Sequence, residues 1–516
     1  MTKALYTDTR GLTGRLATFT EVVVKGMADG GGLFAPESLP TLSIDEIVGW
    51  ADIPYAQRAA RLYRAFDVDL GDDVVEELMR QAYGAQFDDA DICPIVSLDS
   101  RTHMLELWHG PTSAFKDMAL QCLPRFFVAS ARQLKASGAI DNDFCILVAT
   151  SGDTGKAALE GFRDLPGVAI GVLYPHGGVS DIQYKQMATQ LGGNVHVWGV
   201  DGNFDDCQTA VKTVFADASF ARSLAANHAT ALSSANSINW GRLMPQIVYY
   251  VSSYAQLVRR GVVAAGDPID VCVPTGNFGN ILAAWYAKRI GTPIGRLLCA
   301  SNENCVLADF INTGVYDISD RPFVLTPSPS MDILVSSNLE RQLFELTGHD
   351  TARIVRWMDD LKRDRAFRID EETFGRLRED FAAASVDSAE CLATIREVHE
   401  RYGYLVDPHT AVAFRVVEQL RGDNPVLIAS TAHWAKFGAN VYRGLHGIPA
   451  GEPLPQEVAA LSGCKLNDVI AQETGACPIP AGLARLDDAE IRFNEVLPNN
   501  ISAIESAVQD FLSCLR

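Results

Sequence analysis

Apolar positions along the chain alternate between two rhythms. Short, nearly continuous apolar runs at 144–148, 168–174, 194–200, 229–233, 269–273, 297–300 and 426–429 predict buried strands. Between them, helical spacing predicts helices over 156–162, 181–191, 204–216, 239–259, from the loop 274–280 to Lys288, and over 410–421. Strands and helices that alternate in this way predict a doubly wound, parallel α/β sheet. Residues 1–95 read as a small mixed N-terminal domain, with a strand-like run at 19–24, a glycine-rich corner at 26–36 and helical periodicity over 43–85. The region 96–453 reads as the catalytic α/β part in two subdomains, with a charged helical insertion at about 345–402, and 454–516 as an acidic C-terminal tail of helices.

Composition narrows the function classes. The 516 residues are 47% hydrophobic and 21% charged, as in an ordinary globular protein. The net charge of -20 and a pI near 4.9 argue against nucleic-acid and anionic-membrane partners. The N-terminus carries no apolar run of signal type and no window is long and apolar enough to span a bilayer. The eleven scattered cysteines, without a CxxC pair, predict reduced thiols in the cytoplasm and no zinc site.

The chemistry centres on His109-Gly110-Pro111-Thr112-Ser113-Ala114-Phe115-Lys116-Asp117-Met118-Ala119-Leu120. Helical spacing from Thr112 or Ser113 onward places Lys116 in a first helical turn, and Trp108, Phe115, Met118 and Leu120 make its flanks a poor surface. A half-buried lysine near a helix N-terminus has a lowered pKa, which suits Schiff-base chemistry.

Three Gly/Ser/Thr/Asn-rich loops fall at predicted strand ends, where a doubly wound sheet binds ligands. Thr275-Gly276-Asn277-Phe278-Gly279-Asn280 has the makings of a phosphate cradle or of a plain tight turn. Ser151-Gly152-Asp153-Thr154-Gly155 suits a carboxylate, or simply a helix cap. The third, Ser430-Thr431-Ala432-His433, could bring the Thr431 hydroxyl to a heterocycle nitrogen, and Lys436 follows it closely. Asn236-Ser237-Ile238-Asn239-Trp240-Gly241-Arg242 gathers two amides, a hydroxyl and a guanidinium, which could grip a phosphate, or Ser237 or Asn239 could cap a helix. His409, in a helix-entry loop, reads as structural.

Together these segments resemble threonine synthase, a pyridoxal-phosphate-dependent family, in its long bacterial and fungal branch. The lysine segment, Ala149–Gly155, Ser234–Trp240, Pro274–Asn280, Met331–Asn338, Asp407–Val412 and Ser430–His433 keep the family's order. The resemblance implies the fold-type-II architecture, like that of the tryptophan synthase β subunit. It implies that Lys116 holds pyridoxal 5'-phosphate as a Schiff base and is the catalytic residue. Gly276, Asn277, Phe278, Gly279 and Asn280 would bind the cofactor phosphate, and Thr431 would face the pyridine nitrogen. Ser151, Asp153 and Thr154 would meet the substrate carboxylate or the cofactor O3' side, and Asn236, Ser237 and Arg242 the substrate phosphate. The implied reaction converts O-phospho-L-homoserine and water to L-threonine and phosphate. A phospho-lyase giving 2-oxobutyrate, ammonia and phosphate is the alternative, and a monomer or homodimer is expected. Departures from the family pattern are Asn280 for Asp, Cys305 after Asn302-Glu303-Asn304, Ala413 for Gly and Trp434 for Pro.

Overall fold

The computed structural model describes residues 3–515. Two open sheets carry the chain. The larger has six strands in the spatial order Phe381–Ser385, Ile294–Ser301, Ile269–Pro274, Val426–Ser430, Thr102–Glu106 and Ile95–Ser97. All neighbours run parallel except the last pair. The smaller has five parallel strands in the order Val496–Pro498, Val195–Asp201, Val168–Pro175, Asp143–Ala149 and Thr230–Ser233. Ile269–Pro274 and Val168–Pro175 are buried along their whole length, which is why they read as unbroken apolar runs. A three-stranded antiparallel sheet, Ala17–Thr18, Leu5–Asp8 and Phe34–Pro36, opens the chain. Phe19, Trp50 and Tyr63 from this segment share one core with Trp240, Val271 and Ile146.

Three segments differ from the sequence reading. The run expected as a strand at 19–24 is the helix Phe19–Lys25. The valines favour a strand, but Thr18 and Glu21 form a reciprocal capping box and Gly26 ends the helix at φ 74°. The charged region at 345–402, expected as a helical insertion, is mostly helical but also holds Phe381–Ser385, the edge strand of the larger sheet. That strand is mostly alanine, a weak strand former, and only its parallel register against Leu297–Ser301 makes it one. The C-terminal tail is not wholly helical either. Val496–Pro498 extends the smaller sheet, and the helix Ile501–Cys514 packs on Phe204–Ala216. The strand Thr102–Glu106, which leads to the lysine segment, gave no distinct run. Among the described residues no helix is long and apolar enough to cross a membrane.

Candidate active site

Lys116 is the first residue of its helix, Lys116–Leu120, so the predicted start at Thr112 or Ser113 is too early. Ser113 lies in the left-handed region at φ 58°, and Ala114 bridges to Ala432. The backbone there is used for docking: Phe115 N–H donates to Thr431 O (2.8 Å), and His433 N–H donates to Ser113 O (3.1 Å). Asp117 closes the turn by accepting from the Thr112 N–H (2.8 Å) and hydroxyl (2.7 Å). Burial pushes the Asp117 carboxyl up to about 6. Gly110 is needed there, since a Cβ would sit 2.4 Å from the Asp117 Cβ.

The lysine helix is wedged between Asp153–Phe162 and Trp240–Arg259. The first of these approaches through Gly161, where a Cβ would lie 1.9 Å from Leu120 O. This close approach brings Asp153 to the lysine. Lys116 Nζ donates to Asp153 Oδ2 (2.9 Å) and to Ser330 Oγ (3.3 Å), with 7% of the residue exposed. Asp153 Oδ1 accepts from Gln183 Nε2 (3.0 Å) and pairs with Lys436 Nζ, also at 3.0 Å. Burial pushes the Lys116 ammonium below its ordinary range. Asp153 opposes this, and the charges of Lys436 and Arg242 reinforce it. Burial also opposes ionisation of Asp153, but Lys116 and Lys436 outweigh it and hold the carboxyl well below the usual range.

The other segments converge on this pair. Ser330 O and Ile333 Cδ1 are each 3.0 Å from where a Gly276 Cβ would be, so the turn that touches Lys116 also touches the loop 275–280. The carbonyls of this loop are occupied: Gly276 O accepts from Ser336 Oγ (2.8 Å) and Asn277 O from Asn338 Nδ2 (3.2 Å). Its amides are not. Among the described residues no acceptor meets the backbone N–H of Gly276, Asn277, Phe278, Gly279 or Asn280. Phe278 holds this geometry at φ 64° just before the helix Gly279–Arg289. A row of unpaired amides at a helix start fits a phosphate. The Asn280 side chain faces away from it, accepting from Tyr249 OH (2.6 Å) and Tyr250 OH (2.5 Å), so Asn280 offers its backbone N–H alone.

Arg242 is 6% exposed and donates to Ala235 O (3.0 Å) and Thr154 Oγ1 (3.3 Å). No carboxylate pairs with it, and burial alone pushes the guanidinium down to about 10. Ser237 and Asn236 belong to the same turn, which Asn239 caps by accepting from Gly241 N–H (2.9 Å). Asn338 Nδ2 spans Ser237 O (3.1 Å) and Asn277 O (3.2 Å), joining this turn to the amide row. Within the loop 151–155, Thr150 Oγ1 accepts from Gly152 and Gly155 N–H, and the amides of Ser151, Asp153 and Thr154 remain without acceptors among the described residues. Thr431 is 5% exposed, and no group among the described residues bonds its hydroxyl.

His409 is structural: Asp407 accepts from its Nδ1 and Ser330 N–H donates to its Nε2 (3.1 Å), which fixes one tautomer. Burial pushes His433 down to about 3, so it is neutral at any working pH. Trp434 is buried in the second apolar core. Sequence reasoning missed Ser330, which lies in a Pro/Ser turn without a distinguishing signal. It also gave no role to Lys436, although its setting, Trp434-Ala435-Lys436-Phe437, is as apolar as that of Lys116.

A lysine with an adjacent carboxylate, an amide row for a phosphate and an unbonded hydroxyl form a set that fits pyridoxal phosphate. Residues 103–431 match the family model described as pyridoxal-phosphate dependent enzyme, and residues 5–83 the one described as threonine synthase N terminus. Threonine synthase-like 1 from Homo sapiens is 43% identical over 436 residues, 83% of this chain but only 58% of that one. Threonine synthase from Pseudomonas aeruginosa is 37% identical over 488 residues, 93% of this chain and 97% of that one. The crystal structure of pyridoxal-phosphate-bound threonine synthase from Brucella melitensis superposes with a TM-score of 0.85 at 35% identity, over 99% of both chains. The yeast threonine synthase structure gives 0.85 at 31%, again over 99% of each. The two parallel sheets, the small N-terminal domain and the lysine beside its Gly/Asn-rich loops thus have one common explanation: the chain belongs to the threonine synthase family of fold-type-II, pyridoxal-phosphate-dependent enzymes.

Proposed function

We propose that the protein is a threonine synthase, converting O-phospho-L-homoserine and water to L-threonine and phosphate. One observation carries this reading. Two anion cradles lie around one lysine: the amide row at 276–280, which Ser237 borders at Gly279, and the carboxylate-free Arg242, whose charge acts on Lys116. A substrate that carries its own phosphate needs the second cradle in addition to the cofactor's.

When bound, pyridoxal phosphate supplies the electron sink that stabilises negative charge at the substrate's Cα. Lys116 Nζ, as the free amine, would take the Cα proton and shed it to the cofactor-bound substrate before taking a Cβ proton, since one amine carries one such proton at a time. Arg242 holds the phosphate as it leaves Cγ, in a buried setting where its charge is not screened. Lys116 would return a proton to Cγ and, last, one to Cα, and water would add its hydroxyl at Cβ while its proton passes to the released phosphate. Ser151 and Thr154, with the free amides of the loop 151–155, hold the α-carboxylate. Thr431, whose hydroxyl no group among the described residues bonds, would offer a neutral partner to the ring nitrogen of the cofactor. The small-molecule substrate is the partner this site requires. We further place the protein in the cytoplasm, as a monomer or homodimer, the eleven free thiols agreeing with a reducing compartment.

The test is product analysis with O-phospho-L-homoserine and the cofactor-loaded protein. Threonine and phosphate in equal amounts are expected. Phosphate with 2-oxobutyrate and ammonia would replace the reading with a phospho-lyase.

A further inference from the structure

The fully buried Lys436 has no part in the mechanism above. Its ammonium, 0% exposed, meets one carboxylate and one carbonyl: Asp153 Oδ1 at 3.0 Å and Thr112 O at 2.8 Å. Burying a lysine completely is costly, and a single carboxylate shared with a second lysine repays that cost only in part. Lys436 and Lys116 grip opposite oxygens of the same Asp153 carboxylate, and Gln183 fills the remaining donor position on Oδ1. Lys436 is also anchored to the lysine segment itself, because Thr112 is the residue that Asp117 clamps.

We infer that Lys436 is a positioning residue for the reaction: it keeps Asp153 ionised and aimed at the Lys116 nitrogen when Lys116 itself carries no ammonium to do so. Lys116 changes charge whenever it binds the cofactor or carries a proton. If it were the sole counter-ion of Asp153, each such change would leave a buried carboxylate unpaired. Lys436, whose nitrogen takes no part in bond making, supplies a constant charge. It also repels a proton on Lys116, so the amine that Lys116 regenerates is held as a base. The charged or titratable groups facing Lys436 are Asp153 and Lys116, Asp117 beneath Thr112, Lys156 on the helix Asp153–Phe162, and His433 on its own loop. His433 is neutral, so none of these replaces the Lys436 charge at Asp153.

The inference rests on Lys116 being the cofactor's lysine and not on the identity of the substrate, so its test uses no substrate. The pH dependence of Lys116 acetylation is measured on the full chain without cofactor, by competitive trace labelling and mass spectrometry. The pH dependence of the visible absorption is measured on the cofactor-loaded enzyme. In Lys436→Met the Lys116 midpoint should rise by about one to two pH units, from the loss of one charge a few ångströms away. The visible band should shift in the same direction, and Lys436→Arg should restore the wild-type midpoints. A folded Lys436→Met with unchanged midpoints overturns the inference, as does a Lys436→Arg that shifts as far as Lys436→Met. If Lys436→Met does not fold, Lys436→Gln retains a donor to Thr112 O and tests the same loss of charge under the same criteria.

Discussion

Replacing Arg242 with methionine should separate substrate recognition from both cofactor binding and stability. The guanidinium is buried, bonded to one carbonyl and one hydroxyl, and has no carboxylate partner. Its drop to about 10 corresponds to roughly 3 kcal/mol carried by the charged form at neutral pH. Because the group is a base with a lowered folded-state pKa, this cost is present at every pH at which it is charged. Methionine removes the charge and keeps most of the apolar stem, but leaves the buried Ala235 O without its donor at a cost of about 1–3 kcal/mol, so the two effects offset and Arg242→Met should melt close to wild type. The substrate's phosphate would lose about two charge-assisted hydrogen bonds at about 1.5–3 kcal/mol each, a fall of roughly 100- to 10,000-fold in kcat/KM. The assay pairs steady-state kinetics with melting of the cofactor-loaded proteins in increasing inorganic phosphate. Wild type should gain Tm with phosphate, and the variant should not. Equal loss of cofactor and substrate affinity, or a Tm several degrees below wild type, would refute the reasoning.

Three further outcomes are expected. Lys116→Ala should bind the cofactor reversibly and show no turnover; borohydride treatment followed by mass spectrometry should find no cofactor fixed to the chain. Asp153→Asn leaves Lys436 buried without a counter-ion and should cost about 3–5 kcal/mol near neutral pH. Because the native Asp153 pKa lies below its unfolded value, that contribution is complete above about pH 4 and fades as the pH falls through the native value, so melting curves of the two proteins should approach each other in acid. Gly161→Ala would push a methyl onto Leu120 O and move the lysine helix, so it should lower both Tm and cofactor affinity, as measured by melting and by equilibrium titration.

Periodicity alone determined most of the architecture, because the inner strands of parallel sheets are covered on both faces and their apolar runs are unmistakable, as at Ile269–Pro274. The residue types of the lysine segment and the Gly/Asn-rich loop were likewise legible, since few sequences place a lysine among Trp108, Phe115 and Met118. Elements whose identity comes from their neighbours were not legible. Phe381–Ser385 is a strand only because Leu297–Ser301 lies beside it, and Phe19–Lys25 is a helix because its cap overrides its valines. Spacing also could not show which side chains turn inward. Asn280 sits in the loop of unpaired amides yet gives its side chain to two tyrosines, while Ser330 and Lys436, 214 and 320 positions beyond Lys116, reach it or the carboxylate it holds. Contacts between residues so distant in the chain are set by how helices pack on sheets, as where Gly161 lets one helix close on another. The chemistry was therefore written in local motifs, and the charge balance that tunes it was decided only by the tertiary structure.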